Sequence, residues 1–143
     1  MANVTAKQKI RKQRNSQVSI ERLGAALGAE VSNVDLSRPI AASEMTLIQK
    51  AFVKHGLLIF RNQDLTQDEY IAFGRQFGEL TVHPFATSLP NSPELIVLDN
   101  DADNPPLSTD QWHSDEMFRD EPPAATIIRS TITPPIGGDT LLA

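Results

Sequence analysis

The distribution of proline divides the chain into two stretches that must fold by different rules. Nine of the ten prolines lie at or after Pro84. Proline lacks a backbone N–H and is excluded from the interior of helices and from central strands. Helices are therefore expected before Pro84, and short strands separated by proline-marked turns are expected after it.

Before Pro84 the hydrophobic pattern predicts an ordered series of strands and helices. Two strands are expected at residues 17–23 and 29–34, and the wholly apolar run at 57–60 predicts a third, buried on both faces. A helix is expected between the second and third strands, with Ser43 at its N-cap and its end near His55. Its apolar face is made of Leu47, Ile48, Ala51 and Phe52.

A second helix is predicted by the residues Thr66 and Glu69. Threonine followed three positions later by glutamate is the pattern of a capping box. The apolar side of this helix is expected to contain Tyr70, Ile71, Phe73 and Phe77, and Gly78 is well placed to end it.

After Pro84 the pattern predicts short strands at residues 94–98, 111–115, 124–130 and 139–143. Such a series is typical of a barrel or a sandwich. The last strand reaches Ala143 with no stop signal and would leave an unpaired sheet edge. We therefore expect the chain to be a fragment or a truncated gene product.

Composition limits the chemistry that the chain can perform. With no cysteine, a disulfide scaffold, a thiolate zinc site and a cysteine nucleophile are excluded, so any metal site must use His, Asp or Glu. No apolar run approaches the roughly 18 residues of a membrane span, and no signal peptide is recognisable. We expect a cytoplasmic protein without a membrane partner.

The net charge of −5 is unevenly distributed. Residues 1–16 carry five cationic residues and no acid, which leaves eight basic and eighteen acidic residues in the remainder, a balance of −10. A basic arm can bind nucleic acid or an anionic surface. A flexible, solubilising arm is the simpler interpretation. The acidic body provides no track for phosphates, so no nucleic-acid partner is expected.

The pattern that carries chemistry is His113-Ser114-Asp115. In a strand, residues i and i+2 point to the same face, so an imidazole and a carboxylate would lie side by side. One more histidine would complete the facial triad of non-haem iron(II) oxygenases, which leaves positions open on the metal. Alone, this pattern is equally that of a surface histidine beside a carboxylate.

Further motifs surround this pattern in a fixed order. Trp112 directly precedes it, and Phe118, Pro122-Pro123 and Gly137-Gly138-Asp139-Thr140 follow it. Earlier in the chain the motifs are residues 34–39, 56–63, 75–80, His83-Pro84 and 104–106. In this order and spacing, they resemble the taurine dioxygenase family. The resemblance extends over residues 17–143, which would form the N-terminal portion of such a domain.

The resemblance implies a mixed α/β, mainly β fold: a double-stranded β-helix (jelly roll, cupin-like) with flanking helices, incomplete in this chain. It also implies Fe(II) as the metal, with 2-oxoglutarate and O2 as co-substrates. By the same resemblance His113 and Asp115 are metal ligands, Thr140 binds a carboxylate of 2-oxoglutarate, and His83 contacts the anionic group of the substrate.

Two positions depart from the taurine-specific pattern. Ala86 and Thr109 stand where the taurine enzyme of the family has a tyrosine and an asparagine. A smaller residue at position 86 leaves room for a bulkier or more apolar substrate than taurine. The resemblance therefore implies a small anionic organic substrate such as an alkyl sulfate or a longer sulfonate, with release of the sulfur oxyanion.

Three functional hypotheses remain open from the sequence. The first is a dioxygenase whose second iron-binding histidine and 2-oxoglutarate arginine are absent from these 143 residues. The second is a truncated, catalytically inactive fragment. The third is a small β-sandwich binding module in which His113 and Asp115 are incidental. Half a jelly roll exposes apolar faces and edges, so a homo-oligomer is expected.

Overall fold

The computed structural model describes residues 17–100, 103 and 111–143. The predicted basic arm at 1–16 and the predicted substrate residue Thr109 lie outside the described residues. The chain divides into two compact units, the first ending at Tyr70 and the second beginning at Ile71.

A three-stranded sheet organises the first unit. It consists of β1 (Ser19–Arg22), β2 (Ala29–Ser32) and β3 (Leu58–Ile59), with β2 in the centre, antiparallel to β1 and parallel to β3. The first two strands match the prediction. The third is half-buried, so the predicted burial on both faces is wrong, because β3 lies at the sheet edge.

Helix α1 (Ala42–His55) makes the crossover that two parallel neighbours require. Its buried residues are Met45, Ile48 and Ala51. The expected cap at Ser43 is wrong, since the N-cap is Ala41 and it makes no side-chain cap bond. Leu47, expected on the buried face, is exposed.

The end of α1 follows the prediction. Gly56 adopts a left-handed conformation (φ 69°), which glycine enters without steric cost, and its N–H donates to the carbonyl of Phe52 at 2.8 Å. The backbone N–H of Gly28 in turn donates to the carbonyl of His55 at 2.9 Å. The helix end is therefore tied to the start of β2.

The core of the first unit is built from apolar side chains of the sheet, of α1 and of the following loop. Ile48 and Ala29 are fully buried, and Val31 is 2% exposed. The side chain of Gln63 pins the loop after β2, since its oxygen accepts the Leu36 N–H at 3.0 Å and its amide donates to the Val34 carbonyl at 3.3 Å.

The same loop contains an exposed polar turn centred on Asp35. The Asp35 carboxylate accepts hydrogen bonds from the hydroxyl and N–H of Ser37 and from the guanidinium of Arg38. The Ser37 hydroxyl, followed by Arg38, lowers the pKa of Asp35 below its ordinary value, since both favour the charged carboxylate.

Helix α2 (Gln67–Gly74) begins with the predicted capping box. The Thr66 N–H donates to Glu69 Oε2 at 2.7 Å, and the Glu69 N–H donates to the Thr66 hydroxyl at 3.3 Å. The helix ends at Gly74 and not at Gly78, because the chain tightens into turns in which the N–H groups of Gln76 and Phe77 bond three residues back.

In the second unit the regular strands are β4 (Ser88–Leu89) and β5 (Ser92–Ile96), an antiparallel hairpin with an irregular register. The prediction at 94–98 overlaps β5. The strands predicted at 111–115, 124–130 and 139–143 are wrong, as none is present. Exposure still alternates residue by residue along 124–130, so this segment has the period of a strand although it belongs to neither described sheet.

The mixed α/β class is confirmed by these elements. The predicted predominance of strands is not found in the described part of the chain, where the two helices comprise more residues than the five strands. None of the described helices is long and apolar enough to cross a membrane.

Candidate metal and substrate site

Neither His113 nor Asp115 lies on a strand: His113 lies just before a turn and Asp115 begins it. Residues 112–114 have no regular structure and the turn begins at Asp115, where the Arg119 N–H donates to the Glu116 carbonyl at 3.1 Å. At this junction Nε2 of His113 lies 3.4 Å from Oδ1 of Asp115. The two groups therefore lie side by side through a backbone geometry that the sequence did not predict.

Each of the two side chains is oriented by a second hydrogen bond. Nδ1 of His113 donates to the Gln111 carbonyl at 2.8 Å, since a carbonyl only accepts. In the neutral imidazole this leaves an unprotonated Nε2 facing Asp115. Oδ2 of Asp115 accepts the hydroxyl of Thr126 at 2.8 Å, which leaves Oδ1 facing His113.

This arrangement suits a divalent cation. Two lone-pair atoms that face each other repel unless a proton or a cation lies between them. Ligand bonds of about 2.0–2.2 Å at right angles would separate two donors by roughly 3 Å, close to the observed 3.4 Å. His113 and Asp115 thus fit two adjacent positions on one ion.

The donor set is incomplete within the described residues. No group of three or more His, Cys, Asp or Glu side chains that could hold a metal is found there. The side chains of His113 and Asp115 are 63% and 50% exposed. The pair is open to solvent and has room for further donors.

His83 lies in the loop that precedes β4. Its Nδ1 accepts the backbone N–H groups of Phe85 at 3.2 Å and Ala86 at 3.0 Å. In the neutral ring the proton is therefore on Nε2, which becomes a hydrogen-bond donor. A donor of this kind suits an anionic oxygen.

Three aromatic rings join the His83 loop to the His113 turn. The ring centroids of His83 and Phe118 are 5.7 Å apart, those of His83 and Phe85 are 6.1 Å apart, and those of Phe85 and Phe118 are 5.4 Å apart, all edge to face. Such pairs attract each other through their quadrupoles. Phe85 and Phe118 remain 81% and 55% exposed, so they offer apolar surface beside the His83 donor.

Arg119 makes a second link between these segments. Its guanidinium donates to the Val82 carbonyl at 2.9 Å, pairs with the Glu116 carboxylate, and lies over the Phe118 ring, 5.6 Å from the centroid. The loop that carries His83 is therefore linked, through Phe118 and Arg119, to the residues that follow His113 and Asp115 in the second unit.

The remaining predicted site residues within the described part of the chain are Ala86 and Thr140. Ala86 is half-buried and contributes its N–H to His83. Thr140 is exposed, it is not on a strand, and its hydroxyl has no hydrogen-bond partner among the described residues. The structure does not bring Thr140 into contact with His113 or Asp115.

Two contributors to the site were missed from the sequence. These are the carbonyl of Gln111 and the hydroxyl of Thr126. A backbone carbonyl has no sequence signal. Thr126 lies eleven residues after Asp115, and its partner depends on how the 124–130 segment lies against the turn, which only the structure gives.

Comparisons with known proteins match most of the chain to a single family. The family model described as "Taurine catabolism dioxygenase TauD, TfdA family" matches residues 19–143. An alpha-ketoglutarate-dependent sulfate ester dioxygenase of Pseudomonas putida is 30% identical over 128 residues, covering 89% of this chain and 42% of the relative. An alkylsulfatase of Acinetobacter baylyi is 31% identical, covering 89% and 39%.

A solved structure is similar as well. The crystal structure of a taurine dioxygenase from Burkholderia xenovorans matches with a TM-score of 0.51 and 34% identity. The match covers 55% of this chain and 28% of that one. The chain thus spans less than half the length of the curated relatives described above.

Proposed function

The chain belongs to the TauD, TfdA family of taurine catabolism dioxygenases, and from this premise we propose that the complete protein is an iron(II)- and 2-oxoglutarate-dependent dioxygenase. Its substrate would be a small organic anion, with a sulfonate or an alkyl sulfate as the preferred class. The observation that carries the proposal is the facing pair of His113 Nε2 and Asp115 Oδ1, 3.4 Å apart.

His113 and Asp115 would hold the metal, each through the atom that its outer hydrogen bond leaves available. Iron(II), with 2-oxoglutarate and O2 as co-substrates, supplies the chemistry of C–H hydroxylation when bound. For a carbon bonded to a sulfur oxyanion group, the hydroxylated product breaks down to an aldehyde and releases the oxyanion. The chain's own part is to hold the metal with positions left open and to orient the substrate.

Substrate recognition would fall to the His83 loop. The Nε2–H of His83 would donate to an oxygen of the sulfonate or sulfate, and the exposed rings of Phe85 and Phe118 would pack against the carbon chain. The methyl group at Ala86 leaves space where a larger side chain would limit substrate size. Together these features favour an alkyl sulfate or a longer sulfonate over taurine. Thr109, the second departure from the taurine pattern, would act on the same substrate.

The fold of the complete protein would be the double-stranded β-helix with flanking helices. In this proposal, residues 17–143 form its N-terminal portion, and the strand-like segment at 124–130 pairs with strands in the part of the relatives that this chain does not span. The third iron ligand and the arginine for 2-oxoglutarate would lie there as well. Thr140 would face the metal once its strand is paired, and would donate to a carboxylate of 2-oxoglutarate.

The test measures oxygen consumption and succinate formation by the complete protein in the presence of Fe(II) and 2-oxoglutarate. Taurine, longer sulfonates and alkyl sulfates are compared as substrates. We expect alkyl sulfates to give the highest rate and His113→Ala to abolish it. A clear preference for taurine would overturn the substrate assignment. His55→Ala is the matched control, since His55 lies at the end of α1 and far along the chain from the metal pair.

A second candidate is favoured by the absence of a three-donor group among the described residues. In this alternative the 143-residue product is a catalytically inactive fragment that retains a weak two-donor metal site. It would bind a divalent metal through His113 and Asp115 and form no succinate. Succinate formed by the purified chain alone would exclude it.

A further inference from the structure

Thr126 occupies an unusual place in the candidate site. Its hydroxyl donates to Oδ2 of Asp115 at 2.8 Å, the oxygen that faces away from His113. The bond joins two segments that no regular secondary structure connects, since Asp115 begins a turn and Thr126 lies in the strand-like stretch at 124–130.

Packing on the other side of this stretch explains why Thr126 points toward Asp115. The next residue, Ile127, is half-buried and lies close to the end of α2: a methyl group placed on Gly74 would be 3.8 Å from its Cδ1 atom. Neighbouring side chains in an extended segment point to opposite sides. With Ile127 packed inward, Thr126 is directed outward, to the side where Asp115 lies.

The Thr126 hydrogen bond determines which carboxylate oxygen of Asp115 faces His113. A carboxylate on an exposed turn rotates freely, and either oxygen can face the histidine. The Thr126 hydroxyl occupies Oδ2 and leaves Oδ1 toward Nε2 of His113, just as the Gln111 carbonyl fixes the tautomer of His113. Both candidate ligands are thus oriented before any metal arrives.

We propose that Thr126 is a positioning residue for the metal site, acting through Asp115 and not by touching the metal or the substrate. This inference rests on the proposed function, because it requires His113 and Asp115 to be ligands. It assigns a role to a residue that neither the sequence motifs nor the family pattern identified.

The test is a Mn²⁺ titration of the full chain, with free Mn²⁺ followed by electron paramagnetic resonance, which needs no turnover. Thr126→Val keeps the shape and removes the hydroxyl, and we expect it to weaken Mn²⁺ binding about tenfold or more. Thr126→Ser restores the donor and is expected to restore the affinity. Thr131→Val, on an exposed threonine nearby in the sequence, is the matched control and should leave the affinity unchanged.

The two ways of failing are distinguishable. If His113→Ala leaves the Mn²⁺ affinity unchanged, the metal site itself is wrong and the proposed function fails with it. If His113→Ala abolishes binding while Thr126→Val binds as tightly as the unsubstituted chain, only the role of Thr126 is overturned. Failure of Thr126→Ser to recover what Thr126→Val loses would also overturn it, since the hydroxyl would then not be the cause.

Discussion

The two units of the chain differ in how completely each buries its own apolar side chains. The first unit, up to Tyr70, covers Ile48, Val31 and Ala29 almost completely. The second, from Ile71, exposes large apolar side chains along most of its length, with Ile132 and Ile136 about nine-tenths exposed. The candidate site lies in the second unit. An incomplete core and an open site therefore occur together.

Sequence distance accounts for much of this difference. The sheet of the first unit pairs strands that all lie between Ser19 and Ile59, with the crossover helix between them. In the second unit the segment at 124–130 has the alternating exposure of a strand and belongs to neither described sheet. A strand is stabilised by its neighbours, so the same kind of pattern forms a strand in one unit and not in the other.

The largest effect is expected from a pair of isoleucine substitutions, one in each unit. Ile48→Ala should lower the free energy of unfolding by about 2–5 kcal/mol, because it removes a fully buried side chain and leaves a cavity. Ile132→Ala should change it by less than about 0.5 kcal/mol, as an exposed position. Urea denaturation followed by circular dichroism measures both. Equal losses would mean that Ile132 is covered in solution, and the contrast between the units would be lost.

A second experiment tests whether the exposed apolar side chains of the second unit drive self-association. Replacing Ile132 and Ile136 together by threonine should weaken homo-oligomer formation about tenfold or more, because two large apolar contacts are removed. Sedimentation velocity over a concentration series measures this. The matched control replaces Leu23 and Val53, exposed residues of the first unit, and should have little effect. An unsubstituted chain that stays monomeric throughout would contradict the prediction.

The capping box tests whether local signals stabilise the chain independently of its core. Thr66→Ala should cost about 1 kcal/mol, since the N–H of Glu69 loses its partner at the start of α2. Thr46→Ala is the control, because its hydroxyl only bonds back to the Ala42 carbonyl within α1. Urea midpoints compare the two. An unchanged urea midpoint for Thr66→Ala would show that the cap contributes nothing.

The smallest effect is expected at Asp35, in the first unit. Its pKa is lowered in the folded state by the Ser37 hydroxyl and then by Arg38, so its contribution is complete above the ordinary aspartate value of about 3.9. The contribution is lost as pH falls through the lower folded pKa. Asp35 is exposed, so about 0.2–1 kcal/mol is expected. Asp35→Asn should remove this part of the acid dependence of the urea midpoint. An unchanged pH profile would contradict the assignment.

Local signals in the sequence were the ones that predicted structure well. The capping box at Thr66, the end of α1 near His55 and the first two strands each depend on residues within a few positions of one another. The burial of 57–60 failed because it depended on β3 having neighbours on both sides. The strands after residue 110 failed for the same reason, since periodicity predicts a face and not a partner.

The sequence predicted that His113 and Asp115 lie side by side, and the structure confirms their closeness but not the strand from which it was inferred. These two residues were proposed as ligands from a strand that is absent, and their closeness comes from a turn and from two outer hydrogen bonds. Thr126 could not be found because its bond spans eleven residues of irregular chain. Thr140 depends on a strand that the described residues do not form, so its role remains a prediction.

The placement of every β1–β2–β3 pairing within the first 59 residues has a consequence for the timing of synthesis. Translation adds about 5–20 residues per second, so the 73 residues after Tyr70 require roughly 4–15 s. Small domains fold within microseconds to seconds. The first unit can therefore fold while the ribosome is still adding the residues of the second, so the candidate site is completed only after the first unit has had time to fold.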